Sequence, residues 1–191
     1  MKTEIILKLL HDQGFLCCYT MDEITPETAI LIHQQPSRYF QSRDLDYNNM
    51  FLALRQPEKL PPNYKVGYLS KGDHVIPDYI SDLRCASYFR YNTLGEIIPS
   101  GTYRTIRKCK DNFRRLTNEQ QMLFCTIEML NLNADRLKQQ RKAILNQVTQ
   151  LGKKYSRAQL AKFAEKLKKR DKETGKYRRY REVMLYYLQN L

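Results

Sequence analysis

The chain has 191 residues, 42% of them apolar and 28% charged, with a formal net charge of +13. That length can bury a core in one domain or two small ones, and the supply of Leu, Ile, Tyr and Phe excludes wholesale disorder. Apolar runs such as those near residues 5–10 and 29–32 are far shorter than the roughly 20 residues of a bilayer span, which excludes a membrane-spanning helix.

Charge and proline divide the chain at the same place. Residues 1–100 carry 10 Lys/Arg, 12 Asp/Glu and all seven prolines, the last at Pro99; residues 101–191 carry 23 Lys/Arg and 8 Asp/Glu. The balance is −2 against +15. A proline-free, cationic second half is expected to be helical and to face a polyanion. The fold class expected is therefore α+β. A mixed domain over 1–100 is assigned protein contacts or self-association, and an all-helical basic module over 101–191 is assigned nucleic acid.

In chain order, Ile5, Ile6, Leu9 and Leu10 form a helical stripe over 2–13, with Gly14 as its stop. Residues 15–19 are short and apolar and suit a strand. Thr25-Pro26-Glu27-Thr28 reads as a helix start, running to Pro36. Another helix is expected over 44–55, before Pro57, Pro61 and Pro62. Residues 64–69 alternate around Val66 and Tyr68, a turn follows at Lys71-Gly72-Asp73, and 74–76 return as a second strand limited by Pro77. A further strand at 87–92 leads into a Gly-containing turn at 93–96. No low-complexity linker separates the two halves, so they can pack together.

Five helices are expected after Gly101. Thr102 would cap the first, over 103–115, with Ile106, Cys109, Phe113 and Leu116 inward. Thr117 and Gln120 match a capping box, and 122–132 is apolar enough to be the central helix of this half. The third begins at Asn133 or Ala134 and buries Leu137, Ile144, Val148 and Leu151, with Gly152 as its end. Ser156 caps the fourth, over 157–171. Beyond Thr174-Gly175 the last spans 176–190 and buries Tyr177, Tyr180, Val183, Met184, Tyr187 and Leu188.

Set against these stripes, the cations fall on the outer faces. In the first of the five helices Arg107, Lys110 and Arg114 share a face, with Arg104, Lys108 and Arg115 beside them. The third contributes Lys138, Arg141 and Lys142, and the fourth Lys162, Lys166, Lys169 and Arg170. Lys176, Arg178, Arg179 and Arg181 follow in the last, while Lys153, Lys154 and Lys172 charge the connections. A solvated helix face usually interleaves both signs. Here few acids intervene, chiefly Glu165, Asp171, Glu173 and Glu182. Neutralising about six phosphates of a duplex would give a log–log salt slope of roughly −5. A helix-turn-helix docking would use Lys153–Ser156 as the turn and bring Ser156, Arg157 and Gln159 to the major groove.

The functional expectation is DNA binding in regulation, replication or packaging, or within a nucleoprotein complex. An RNA-binding subunit is the alternative, with Tyr177, Tyr180, Tyr155 and Tyr103 as candidate stacking platforms. A metal-dependent nuclease using Asp73, His74 and Asp78, with Asp82 nearby, is a third. Phosphate-cradling, nucleophile-elbow and zinc-helix motifs are absent, so no catalytic residue is assigned. Cys17, Cys18, Cys85, Cys109 and Cys125 form no CxxC pair. That pattern suits reduced thiols in the cytoplasm, with no resident metal or cofactor and no leader peptide.

Overall fold

A computed structural model describes residues 2–57 and 59–191, with only the backbone for Lys2. Its described residues form seven α-helices and two two-stranded antiparallel sheets, an α+β fold whose C-terminal half is helical. Helix α1 (Lys2–Asp12) buries Leu9 and Leu10 and stops as the stripe requires. Gly14 takes φ +59°, and a Cβ there would collide with the Tyr177 ring, so this glycine serves both the turn and a long-range contact.

Residues 15–19 make no strand; Leu16 forms a single antiparallel bridge with Glu23. The two helices expected over 25–36 and 44–55 are likewise absent. Thr25–Thr28 is a turn held by their own hydroxyls, and strand β1 (Ala29–His33) follows. Its partner is β2 (Met50–Leu54), with Ala29 opposite Leu54 and His33 opposite Met50. A short apolar run such as Ala-Ile-Leu-Ile has no period of its own, so a partner some twenty residues away decides its conformation. Asn49 fixes that partnership. Fully buried, it accepts from the Gln35 N–H at 2.7 Å and donates to the Gln35 and Arg43 carbonyls.

The hairpin expected over 64–76 is also replaced. Residues 68–71 (Tyr68–Lys71) form one helical turn, α2, and 74–76 have no strand partner. The Gln56 side chain explains the difference, because its amide accepts from the Val66 N–H at 3.1 Å and donates to the Val66 carbonyl at 2.7 Å. It supplies the two hydrogen bonds that a neighbouring strand would have made. The strand at 87–92 does form, as β3 (Phe89–Tyr91), and it pairs with β4 (Ile97–Pro99). Between them Asn92 Oδ1 accepts from the Leu94 and Glu96 N–H groups, and Gly95 takes φ +75°.

The helical half follows the expected order with shifted ends. Helix α3 (Ile106–Asp111) is capped by Thr105, not Thr102, whose hydroxyl donates to the Pro99 carbonyl instead. A 3-10 turn, Phe113–Arg115, completes that segment. Helix α4 (Asn118–Met129) opens on the Thr117–Gln120 capping box and buries Leu123, Phe124 and Ile127, while Met122 is exposed. Helix α5 (Asp135–Lys154) runs through Gly152, and α6 (Arg157–Leu167) opens on a Ser156–Gln159 capping box but ends four residues before Asp171. Helix α7 (Arg181–Gln189) begins five residues late because Tyr180 adopts a left-handed conformation. Its N–H donates to the Met21 carbonyl, and its ring is buried.

Packing joins the halves. The main core gathers Leu9, Leu10, Ile24 and Leu52 with Ile127, Leu130, Leu132 and Leu137. A second cluster, built from Val148, Leu167, Val183, Met184 and Tyr187, is linked to β3 through edge-on contacts of Tyr91 with Tyr186 at 5.4 Å. A third small one, of Cys109, Leu116 and Phe124, seats α3. The turn at Asn92–Glu96 is the meeting point of all three. Tyr187 of α7 donates to the Asn92 carbonyl, Asn92 donates to the Arg104 carbonyl ahead of α3, and Arg141 of α5 donates to the Gly95 carbonyl.

Candidate nucleic-acid interface

The helices sort the cations into those presented to solvent and those used by the protein. Around α3, Arg104, Arg107, Lys108, Lys110, Arg114 and Arg115 are all exposed. Among the described residues only Arg107 of these has an ion pair, with Asp111 at 4.0 Å. Lys142, Lys153 and Lys154 of α5, Arg157, Lys162 and Lys166 of α6, and Lys169, Lys172 and Arg178 beyond it are exposed too, without an ion pair among the described residues. Thr105 and Ser156 start α3 and α6, so amphipathic register alone turns these side chains outward once Cys109 and Leu167 are buried.

Arg141 does not belong to that face. It is 4% exposed, and its Nε donates to the Gly95 carbonyl at 2.6 Å while Nη2 donates to the Leu132 carbonyl at 2.7 Å and to Asn133 Oδ1 at 3.1 Å. Burial lowers its pKa. At about 100° per residue it lies about 40° from Leu137 and about 20° from Val148 around the helix, which places it on the inner side. The guanidinium is a peg that ties α5 to the β3–β4 turn.

Several other expected contacts are half-buried or paired. Lys138 meets Asp135 at 2.8 Å, and Arg181 meets Glu182 at 2.8 Å. Arg170 donates to the His11 and Asp12 carbonyls at the end of α1, a cation placed against a helix C-terminus. Lys176 pairs with Glu23 at 2.5 Å, and Arg179 with Asp22 at 2.7 Å. Asp22 was not singled out by any sequence pattern. Buried, it also takes Arg136 at 3.3 Å and the Tyr180 hydroxyl at 3.1 Å. It anchors the segment before α7 to the N-terminal half.

The tyrosines divide in the same way. Tyr180 is buried, and Tyr177 lies against Gly14 with the Arg181 and Arg170 guanidinium groups 3.6 and 5.0 Å from its ring centre. Tyr103 is half-buried beside Cys109. Tyr155, 48% exposed between α5 and α6, is the aromatic residue of 101–191 that faces solvent.

Asp73, His74 and Asp78 are not brought together. Asp73 meets Arg38 at 3.4 Å, Asp78 accepts from the Ser81 N–H, and Asp82 accepts from Arg84 and from Tyr88. The Arg84 guanidinium and the Tyr88 hydroxyl hold the Asp82 carboxyl well below its ordinary range. No His/Cys/Asp/Glu group suited to a metal occurs among the described residues. An open cavity of about 770 Å³ lies between the end of α1, β2 and residues 76–86. Its lining is mainly apolar, with Asp12, Asp78, Asp82 and Glu182 outnumbering Arg43 and Arg181, so it does not suit a phosphate. No helix among the described residues is long and apolar enough to cross a membrane. No protein-family model and no curated protein sequence matches the chain.

Proposed function

We propose that this protein binds duplex DNA through the outer faces of α3, α5 and α6, as a regulatory, replicative or packaging factor or a subunit of a nucleoprotein complex. The observation that carries the reading is the set of exposed cations of the C-terminal half, most of them without an ion pair among the described residues. Charges left unpaired on an ordered surface attract a polyanion and release its condensed counterions. Removal of Arg141 from the contact set, and pairing of Lys176 and Arg179, leave two denser patches: one from Arg104 to Arg115, and one from Lys153 to Lys172.

RNA is the competing polymer, gripped by the same cations. The scarcity of exposed aromatic side chains in this half favours backbone contacts over base stacking, and so a duplex over a single strand. The N-terminal half, with Tyr39, Leu45, Tyr64 and Leu83 exposed, is assigned protein contacts in a cytoplasmic complex.

The test is titration of the full chain with duplex DNA, single-stranded DNA and duplex RNA across a salt series. Duplex DNA should bind most tightly, with a log–log slope near −5 for about six neutralised phosphates. The triple change Arg107→Gln, Lys110→Gln and Arg114→Gln should flatten that slope by roughly two to three. Failure to bind any of the polymers at low salt would remove the reading.

A further inference from the structure

Helix α5 carries a second chemistry besides charge. Leu137, Arg141, Ile144 and Val148 face inward, the helix packing mainly on α7. At about 100° per residue, Gln139, Ala143, Asn146, Gln150 and Lys153 lie on the opposite side, and all five are exposed. The side chains of Gln139, Asn146 and Gln150 make no hydrogen bond to any described residue, whereas Oε1 of Gln140, one position along, accepts from the Tyr180 hydroxyl. Lys142 and Lys154 flank the ridge. Between Asp135 and Glu165 there is no acidic residue at all.

We infer that this ridge reads base edges in the major groove of duplex DNA, with Asn146 and Gln150 as the reading side chains. The inference rests on the DNA-binding reading above and extends it from phosphate contact to sequence recognition. A carboxamide offers one acceptor and two donors side by side, which matches the N6 donor and N7 acceptor of adenine in a bidentate pair. Asn146 and Gln150 stand one turn apart, about 6 Å along the axis, which spans about two base steps of 3.4 Å. The Ala143 methyl keeps the ridge low enough to approach the groove floor and offers an apolar contact to a thymine methyl. Lys142 and Lys154, flanking the ridge, sit where the phosphate walls would run, and the acid-free stretch lets the whole helix approach them.

The same ridge argues against RNA, because the A-form major groove is too deep and narrow for side chains to read. It also displaces α6 as the reading helix. Ser156 and Gln159, expected at the groove, are occupied with each other: the Gln159 carbonyl oxygen accepts from the Ser156 N–H at 2.9 Å and contacts its hydroxyl at 3.1 Å.

Selection of the full-length protein on a randomised DNA duplex pool tests this directly. An adenine-containing site should be enriched. Asn146→Ala and Gln150→Ala should each weaken that site by about 5- to 150-fold. Affinity for unrelated duplex, the salt slope and the melting temperature should stay unchanged, since both side chains are exposed. Gln147→Ala, off the ridge on the same helix, should leave the preference intact. Duplex binding without any enriched sequence overturns the inference but leaves the backbone reading standing. So does an enriched site indifferent to both variants. Absence of duplex binding by the unaltered protein overturns both.

Discussion

Replacing Arg141 by methionine separates a structural arginine from a ligand-contacting one. Methionine matches the stem and removes three charge-assisted hydrogen bonds, to the Gly95 and Leu132 carbonyls and to Asn133 Oδ1. Such bonds contribute about 1.5–3 kcal/mol each, and a carbonyl left buried without a donor costs about 1–3 kcal/mol. The apolar methionine offsets part of this, because it no longer holds a charge out of water. The net loss should be about 3–5 kcal/mol. For a chain of this size, each kcal/mol lowers Tm by about 2–4 °C, so a drop of roughly 6–20 °C is expected in calorimetry. The salt slope of DNA binding by the folded variant should not change. Arg114→Met is the mirror image: exposed and unpaired, it should move Tm by little and flatten the slope by about one. An Arg141→Met protein with unaltered Tm and a flatter slope would refute the assignment.

Gly95→Ala should destabilise by at least about 1–2 kcal/mol, because φ is +75° and the new Cβ would press on the Lys138 carbonyl; urea midpoints check this. Asp22→Asn should cost about 1–3 kcal/mol, less than a fully buried pair since Arg136 and Arg179 are nearly half exposed. It should also speed proteolytic cleavage within 168–180, and an unaltered cleavage pattern would argue against the anchoring role. Burial raises the Tyr187 hydroxyl from 10.0 to about 12 and those of Tyr91 and Tyr180 further. Above pH 10 the unfolded chain releases protons that the native state retains, so stability is full below pH 10 and falls as pH rises towards 12. Phenolate absorbance should therefore rise for these residues only with cooperative unfolding; smooth titration near pH 10 in the folded protein would contradict their burial.

How much was legible in the sequence varied with the range of the interaction. Caps and periodic stripes are local, so α1, α4, α5 and α6, the capping box at Thr117 and the cap at Ser156 were readable within a few residues. Segments 29–33 and 50–54 were misread as helices because their conformation depends on each other. The apparent hairpin at 64–76 failed for a related reason, since the Gln56 amide took the place of a strand. Among the cations, helical angle alone marks Arg141 as inward. Nothing local marks Asp22 as an anchor: Thr20 beside it donates to its carboxylate, but Arg136, Arg179 and Tyr180 lie more than a hundred positions away.

What the sequence by itself determined is the asymmetry: a proline-free half with +15 of charge on amphipathic helices, which cannot bury its cations and so must present most of them. The tertiary structure decided which ones. Packing of α5 and α7 against the β3–β4 turn withdrew Arg141 into the core, and the buried Asp22 drew in Arg136 and Arg179. The same packing left the Gln139–Lys153 ridge of α5 facing solvent. Charge is additive along a chain, but pairing and burial depend on what folding brings alongside, and that distinction separates a basic composition from a defined cationic surface.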